Sequence, residues 1–338
     1  MNENSNPKVF FLFVTWLVAI LFITQCFIVG FNKWNKTNTE VSIPLIQETG
    51  ELLPTAQDIF DTSVGKILFV SNRDGNNEIY VMNGDGSQQK RLTYSSANDV
   101  APSWSPDATQ IAFFSDRVGK NQIYIMDSDG NNQNLLAIQG TLISAPLWSP
   151  DGNWIAFSKT AENINTYLIK PNGSQEIQLT YNGGYNLPVA WSPNSKHVLL
   201  ISNLDSLGQT VSVNNFFSLN IETGEMDNVT NYSAQYADAS WSPNGRKIVY
   251  VSGRDSILIL KDLLTNEGKI LIANQLDLNA VSTPHEMFPD WLSDSQQIVF
   301  TWNKDGNDEI YIVDTLTGEL RRLTNNPAID FDPDWWSP

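Results

Sequence analysis

Three carboxylates occupy one repeated position in this chain. Asp99, Glu286 and Asp330 each stand five residues before a tryptophan, at Trp104, Trp291 and Trp335. The same position holds Ile143, Asn186 and Tyr236 before Trp148, Trp191 and Trp241, and His285 and Asn98 lie one residue further back. Carboxylates gathered at one mouth of a low-dielectric funnel would concentrate negative potential and attract a cation or a basic peptide terminus. Set about 5–10 Å apart, they could also act as acid and base on a glycoside. A plainer role is capping, since Asp readily accepts backbone N–H bonds at a turn. The residues alone leave these roles open.

Other chemistry is thinly supplied. The chain has two histidines, His197 and His285, a number that limits any histidine-based metal cluster or triad. His197 follows Ser195 and Lys196 at the start of a strand, where an ordinary solvated or packed side chain is expected. The one cysteine, Cys26, precedes the whole globular part, which therefore has no disulfide and no thiolate metal site. No Gly-x-Ser-x-Gly elbow, Walker loop or dinucleotide fingerprint is present. Asp74-Gly75, Asp85-Gly86, Asp129-Gly130 and Asp305-Gly306 resemble fragments of calcium loops, but none continues to Gly at position six and Glu at twelve. Hairpin turns account for them better. No cofactor is expected, apart from a divalent cation such as Ca²⁺ at the carboxylates.

The elements that must position these residues are written in the tryptophans. Each opens a short turn: Trp104-Ser-Pro-Asp, Trp148-Ser-Pro-Asp, Trp191-Ser-Pro-Asn, Trp241-Ser-Pro-Asn, Trp291-Leu-Ser-Asp and Trp335-Trp-Ser-Pro. The intervals are 44, 43, 50, 50 and 44 residues, a period that marks a repeat architecture. Within one copy, Ala101 to Trp104, Ile111 to Ser115, Ile123 to Asp127 and a run ending at Leu135-Leu136 are short, apolar and separated by turn residues. Four such strands per unit predict a propeller blade. No sustained 3.6-residue apolar period follows residue 60, which excludes two-helix repeats.

Before the first Trp stand three strands without a partner, at Lys66 to Ser71, Glu78 to Met82 and Lys90 to Thr93; after the last full repeat stands one, Phe331 to Trp335. One and three make a blade. The expectation is an all-β, six-bladed propeller over residues 60–338, closed by pairing its last strand with its first three and thereby hiding both sheet edges. Blades begin near Pro102, Pro146, Pro188, Ala239, Pro289 and Pro333. Each Trp is expected to pack between neighbouring blades.

The units Trp-Ser-Pro-Asp, Ile-Ala-Phe-x-Ser, Ile-Tyr-x-Met-(Asn/Asp), Asp-Gly and Arg-Leu-Thr resemble the WD-like repeats of the TolB propeller family. Ser71 to Tyr80 matches its most recurrent stretch, and the likeness covers nearly all of residues 66–338. It implies the propeller fold but leaves function broad, because the family includes periplasmic scaffolds, peptidase propeller domains and some polysaccharide lyases. TolB carries a separate α/β domain before its propeller. The about 30 residues between the apolar N-terminal stretch and the first strand are too few for one.

Val9 to Phe31 is a 23-residue stretch without a charge, long enough to cross a bilayer core of about 30 Å. With no small-x-small site after it, the segment reads as an uncleaved signal anchor, a cleaved signal peptide being the alternative. Residues 1–8 would then be a short cytoplasmic N-terminus and 32–59 a polar stalk with Pro44 and Pro54. Lysines flank the stretch on both sides and barely orient it; the family resemblance implies an extracytoplasmic propeller, periplasmic or at the cell surface. A net charge of −17 and the lack of any basic stripe exclude nucleic acid as a partner. Absence of disulfides suits a bacterial envelope protein. The functional expectation is a non-catalytic, membrane-anchored module that binds an envelope protein or peptide, or a glycan. The alternative is a lyase or hydrolase using Asp99, Glu286 and Asp330.

Overall fold

The computed structural model describes residues 65–337 except 137, 139, 143, 161–162, 205–208, 231–235, 253–256 and 274–286. The expected anchor (9–31) and stalk (32–59) lie outside the described residues. Among those described, no helix is long and apolar enough to cross a membrane.

Six antiparallel sheets form the blades of a propeller. Blade 1 joins the two ends of the described chain. Its order is Asp330–Trp336, Lys66–Ser71, Glu78–Asn83, Lys90–Arg91. The closing strand runs antiparallel to Lys66–Ser71, with Lys66 opposite Trp336, Ile67 opposite Trp335 and Ser71 opposite Asp330. Blade 2 is Asp99–Trp104, Gln110–Ser115, Gln122–Asp127, Asn134–Leu135. Blade 3 has a split inner strand, Thr141–Leu142 and Leu147–Trp148, both paired with Ile155–Thr160. Blade 4 begins with Asn186–Trp191, blade 5 with Tyr236–Trp241 and blade 6 with Asp290–Trp291. The expected closure and blade count are both present.

The second strand of each blade explains why its apolar run is continuous rather than alternating. A strand turns successive side chains to opposite faces, and here both faces are covered by other blades. Ile67 and Phe69 pack with Val299, Ile310 and Ile312 of blade 6. Leu68, between them, packs with Trp104, Ile111 and Phe113 of blade 2. The pattern repeats one blade on, where Ile111 and Phe113 face blade 1 while Ala112 and Phe114 face blade 3. Six such clusters fill the spaces between consecutive blades, and each holds one repeat tryptophan. Trp191 and Trp291 also reach back one blade by hydrogen bond, Nε1 donating to the carbonyls of Leu147 (3.0 Å) and Ser240 (3.2 Å).

The inner strands are kinked. Register shifts interrupt them between Val100 and Ser103, Pro188 and Ala190, and Tyr236 and Ala239, and the closing strand shifts against its partner between Leu68 and Val70. Three residues before their tryptophans, Ala101, Phe288 and Asp332 take left-handed φ values of 53°, 41° and 58°. An extra residue in one strand bends it and re-aims the side chains beyond. All three of these residues line the central channel.

Candidate functional site: the strand-start carboxylates and the central channel

The structure gives the sequence-derived positions their surroundings. Asp99, Asn186, Tyr236 and Asp330 are the first residues of inner strands. Ile143, His285 and Glu286 lie outside the described residues. Asp99 and Asp330 are fully buried. Register sets Asp99 opposite Ser115 and Asp330 opposite Ser71. In both blades an arginine follows that serine by two residues and closes on the carboxylate. Arg117 Nη2 donates to both oxygens of Asp99, at 3.0 and 2.8 Å, while its Nε donates to Ser115 Oγ and its Nη1 to Gln133. Arg73 repeats the arrangement, with Nη2 donating to Asp330 Oδ2 at 2.8 Å, Nε to Ser71 and Nη1 to Gln89. Each guanidinium also lies over a tyrosine ring, Tyr124 at 4.4 Å and Tyr80 at 4.8 Å. Asn186 fills the same place in blade 4 without charge, accepting from Ser202 Oγ and donating to Asn182 and the Gly184 carbonyl.

Two members of the expected arc, Asp99 and Asp330, are thus each paired with an arginine. Each is neutralised inside its own blade, because a buried carboxylate with no counter-charge would carry a large desolvation cost. The signal that could have revealed this was present in the sequence: Ser71-Asn72-Arg73 and Ser115-Asp116-Arg117 repeat at the end of the second strand.

Beside these pairs, blades 1 and 6 carry a matched loop, Asn72 to Tyr80 and Asn303 to Tyr311. In each, an arginine bridges two carboxylates: Arg91 to Asp74 and Glu78, Arg322 to Asp305 and Glu309. In each, the tyrosine hydroxyl donates to the loop aspartate, Tyr80 to Asp74 and Tyr311 to Asp305. Burial first, then that bond, pushes both phenols far above their usual range, and the bond holds both carboxylates down.

Acidic residues with a different character line the channel. The cavity, about 530 Å³, is walled by the tryptophan-side halves of the inner strands of all six blades. Its wall includes Asp238, Asp290, Asp332 and Asp334, and no Lys, Arg or His among the described residues. A six-residue strand rises about 17 Å, so Asp290 and Asp334 sit well along the channel from Asp99 and Asp330. Both stand immediately before a tryptophan. Asp290 Oδ2 accepts the Trp335 N–H at 2.8 Å, and its Oδ1 accepts from Ser240 Oγ and the Trp291 N–H. Asp334 Oδ2 accepts the Trp104 N–H at 2.8 Å. In blade 2, Ser103 does the same with its hydroxyl, accepting the Trp148 N–H at 3.1 Å. The residue before each Trp thus ties its blade to the next where it is Asp or Ser; Leu147 and Ala190 have no side-chain acceptor to offer.

Burial raises the Asp290 carboxyl above the usual range, opposed by its three hydrogen bonds. Burial, then the charges of Asp290 and Asp332, holds Asp334 well above it. Sequence reading missed this pair because it aligned the blades five residues before the Trp and passed over the position directly before it. Among the described residues, no group of three or more His, Cys, Asp or Glu is placed to hold a metal ion.

A closed six-bladed ring around a channel with aspartates in its wall defines the class: a β-propeller built from tryptophan-marked repeats. A model of the TolB beta propeller domain matches residues 59–163 and 138–288, and the chain belongs to that family. Over 61 residues it is 43% identical to a Protein TolB homolog of Chlorobaculum tepidum, a stretch covering 18% of this chain and 13% of that protein. Over 47 residues it is 43% identical to the Tol-Pal system protein TolB of Geobacter sulfurreducens, covering 14% and 11%. The matched stretches thus span a small part of these relatives' own lengths. The crystal structure of TolB from Acinetobacter baumannii superposes with a TM-score of 0.68 at 21% identity, over 81% of this chain and 67% of that one. That likeness shows the fold.

Proposed function

We propose that this chain is a non-catalytic interaction module of the bacterial envelope, anchored by residues 9–31 and presenting a propeller on the extracytoplasmic side. The observation that carries the reading is the use to which the reactive side chains are put. Asp99, Asp330, Glu78 and Glu309 are buried against arginines within blades, and Asp290 and Asp334 bind backbone amides of neighbouring blades. These groups stabilise the scaffold, which leaves its exposed loops and channel mouths to meet a partner. The family supports the same direction, since the relatives in C. tepidum and G. sulfurreducens are TolB proteins, one named for the Tol-Pal system. The partner class is an envelope protein or peptide, with a glycan as the other candidate. An acidic channel favours a ligand that brings positive charge, such as a basic peptide terminus.

The experiment is recovery of the tagged full chain from cross-linked, detergent-solubilised envelope. The expected result is a discrete partner whose yield falls with rising salt. Recovery of the chain alone, together with turnover of an envelope glycan by the purified protein, would overturn the reading in favour of an enzyme.

A further inference from the structure

The links between consecutive inner strands need only a hydrogen-bond acceptor. Ser103 supplies one to Trp148 without a charge. At the ring's closure the same task falls to two carboxylates in succession, Asp290 to Trp335 and Asp334 to Trp104. They flank the closing strand Asp330–Trp336: one receives its amide, the other is carried on it. We propose that the Asp290–Asp334 pair is a proton-operated latch on the closing strand. With a proton on the pair, both carboxyls keep their amide bonds; without it, like charge drives Asp334 from the Trp104 amide and loosens blade 1 from blade 2.

Among the described residues, the channel wall sets no cation beside the pair. Asp238 on blade 5 and Asp332 on the closing strand face the same lumen. Charged groups on the strands packed against the closing strand are engaged elsewhere. Lys66 donates to Asn83, Asp99 is held by Arg117, Asp330 by Arg73 and Glu309 by Arg322, and Asp314 accepts from the Leu316 and Thr317 amides. The direction of the titration agrees, since burial and then mutual repulsion raise Asp334 well above the ordinary carboxyl range. A group whose folded pKa lies above its unfolded value destabilises the fold when ionised. The penalty is absent below the unfolded pKa, grows as pH rises through the interval between the two values, and is complete above the folded one.

The test is thermal unfolding of the full chain, wild type against Asp334→Asn, between about pH 5 and about pH 8. Asparagine keeps an acceptor for the Trp104 amide and cannot ionise. The expected result is a variant melting about 3 °C or more above the wild type at the alkaline end, with the gap closing toward the acid end. A variant that melts below the wild type by the same margin at every pH would overturn the latch, because it would show a carboxylate that is ionised and stabilising throughout. A second measurement does not depend on how well the variant folds. The infrared spectrum of the wild-type chain should keep a buried protonated-carboxyl band above the pH at which exposed carboxyls ionise, and Asp290→Asn or Asp334→Asn should alter it; a wild-type spectrum without that band also overturns the proposal.

Discussion

Arg117 sits where a guanidinium can do three jobs at once: it neutralises buried Asp99, bridges Ser115 to Gln133, and covers the faces of Phe113 and Tyr124. Truncation to Met keeps the apolar stem and removes the charge, leaving a buried carboxylate alone. Arg117→Met should therefore cost about 3 kcal/mol in urea unfolding, and the double variant with Asp99→Asn should recover much of that loss. A different carboxylate gives the ordinary acid response. Asp107 is held below the usual range by the Ser105 hydroxyl first and then by the Thr109 N–H and hydroxyl. Its folded pKa lies below its unfolded one, so its contribution is present above the unfolded value and is lost as pH falls through the folded one. Asp107→Ala should cost about 1 kcal/mol near neutral pH, and the difference from wild type should vanish in strong acid. At this scale the sequence was partly legible. It marked Asp99 and Asp330 as special by their repeated spacing, but spacing does not tell a paired carboxylate from a free one. The deciding residue, an arginine two places past a strand end, lies in the turn that follows a different strand of the same blade.

Hairpins show the same mixture. The Asp-Gly pairs, read in the sequence as turns, fall into two groups that only the packing separates. Gly86 and Gly130 have φ values of 86° and 93°, and a Cβ built on either would lie 2.7 Å from the Leu323 carbonyl oxygen or 2.5 Å from that of Leu92, each on the preceding blade. Gly75, at φ 111°, has nothing within 4 Å. Glycine at 86 and 130 thus serves two needs, a left-handed turn and room for a neighbour's backbone, whereas Gly75 serves only the first. Gly130→Ala should lower the melting temperature clearly more than Gly75→Ala, whose cost is about 1–2 kcal/mol of conformational strain. Equal shifts in the two melting curves would show that the neighbouring blade simply yields. Strand existence and order followed from the apolar runs and turn residues. The left-handed turns at Ala101, Phe288 and Asp332 did not, because left-handed φ at alanine, phenylalanine or aspartate carries no composition signal.

For the whole molecule, closure between residues at opposite ends of the described chain replaces two free sheet edges with one buried strand pair. The counting argument, one strand left over at one end and three at the other, foretold this arrangement, and the registered pairing of Lys66 with Trp336 and Ser71 with Asp330 establishes it. Removing everything beyond Ile329 should abolish cooperative unfolding of the disk, since blade 1 would lose its inner strand and blade 2 the Asp334 link to Trp104. A truncated chain with a transition as sharp and as late as that of the full chain would contradict this. The channel was less visible. Its acidic wall comes from positions one and three residues before the tryptophans, which look ordinary until all six strands converge on one axis. The same closing strand has a bearing on biosynthesis. A ribosome delivers Lys66–Ser71 long before it delivers Asp330–Trp336, so the earliest strands emerge with one flank bare and wait through the translation of some 260 residues for their mate. Until then the growing polypeptide offers a sticky β-edge to whatever is nearby, which makes late-acting chaperones or swift export natural companions of this design.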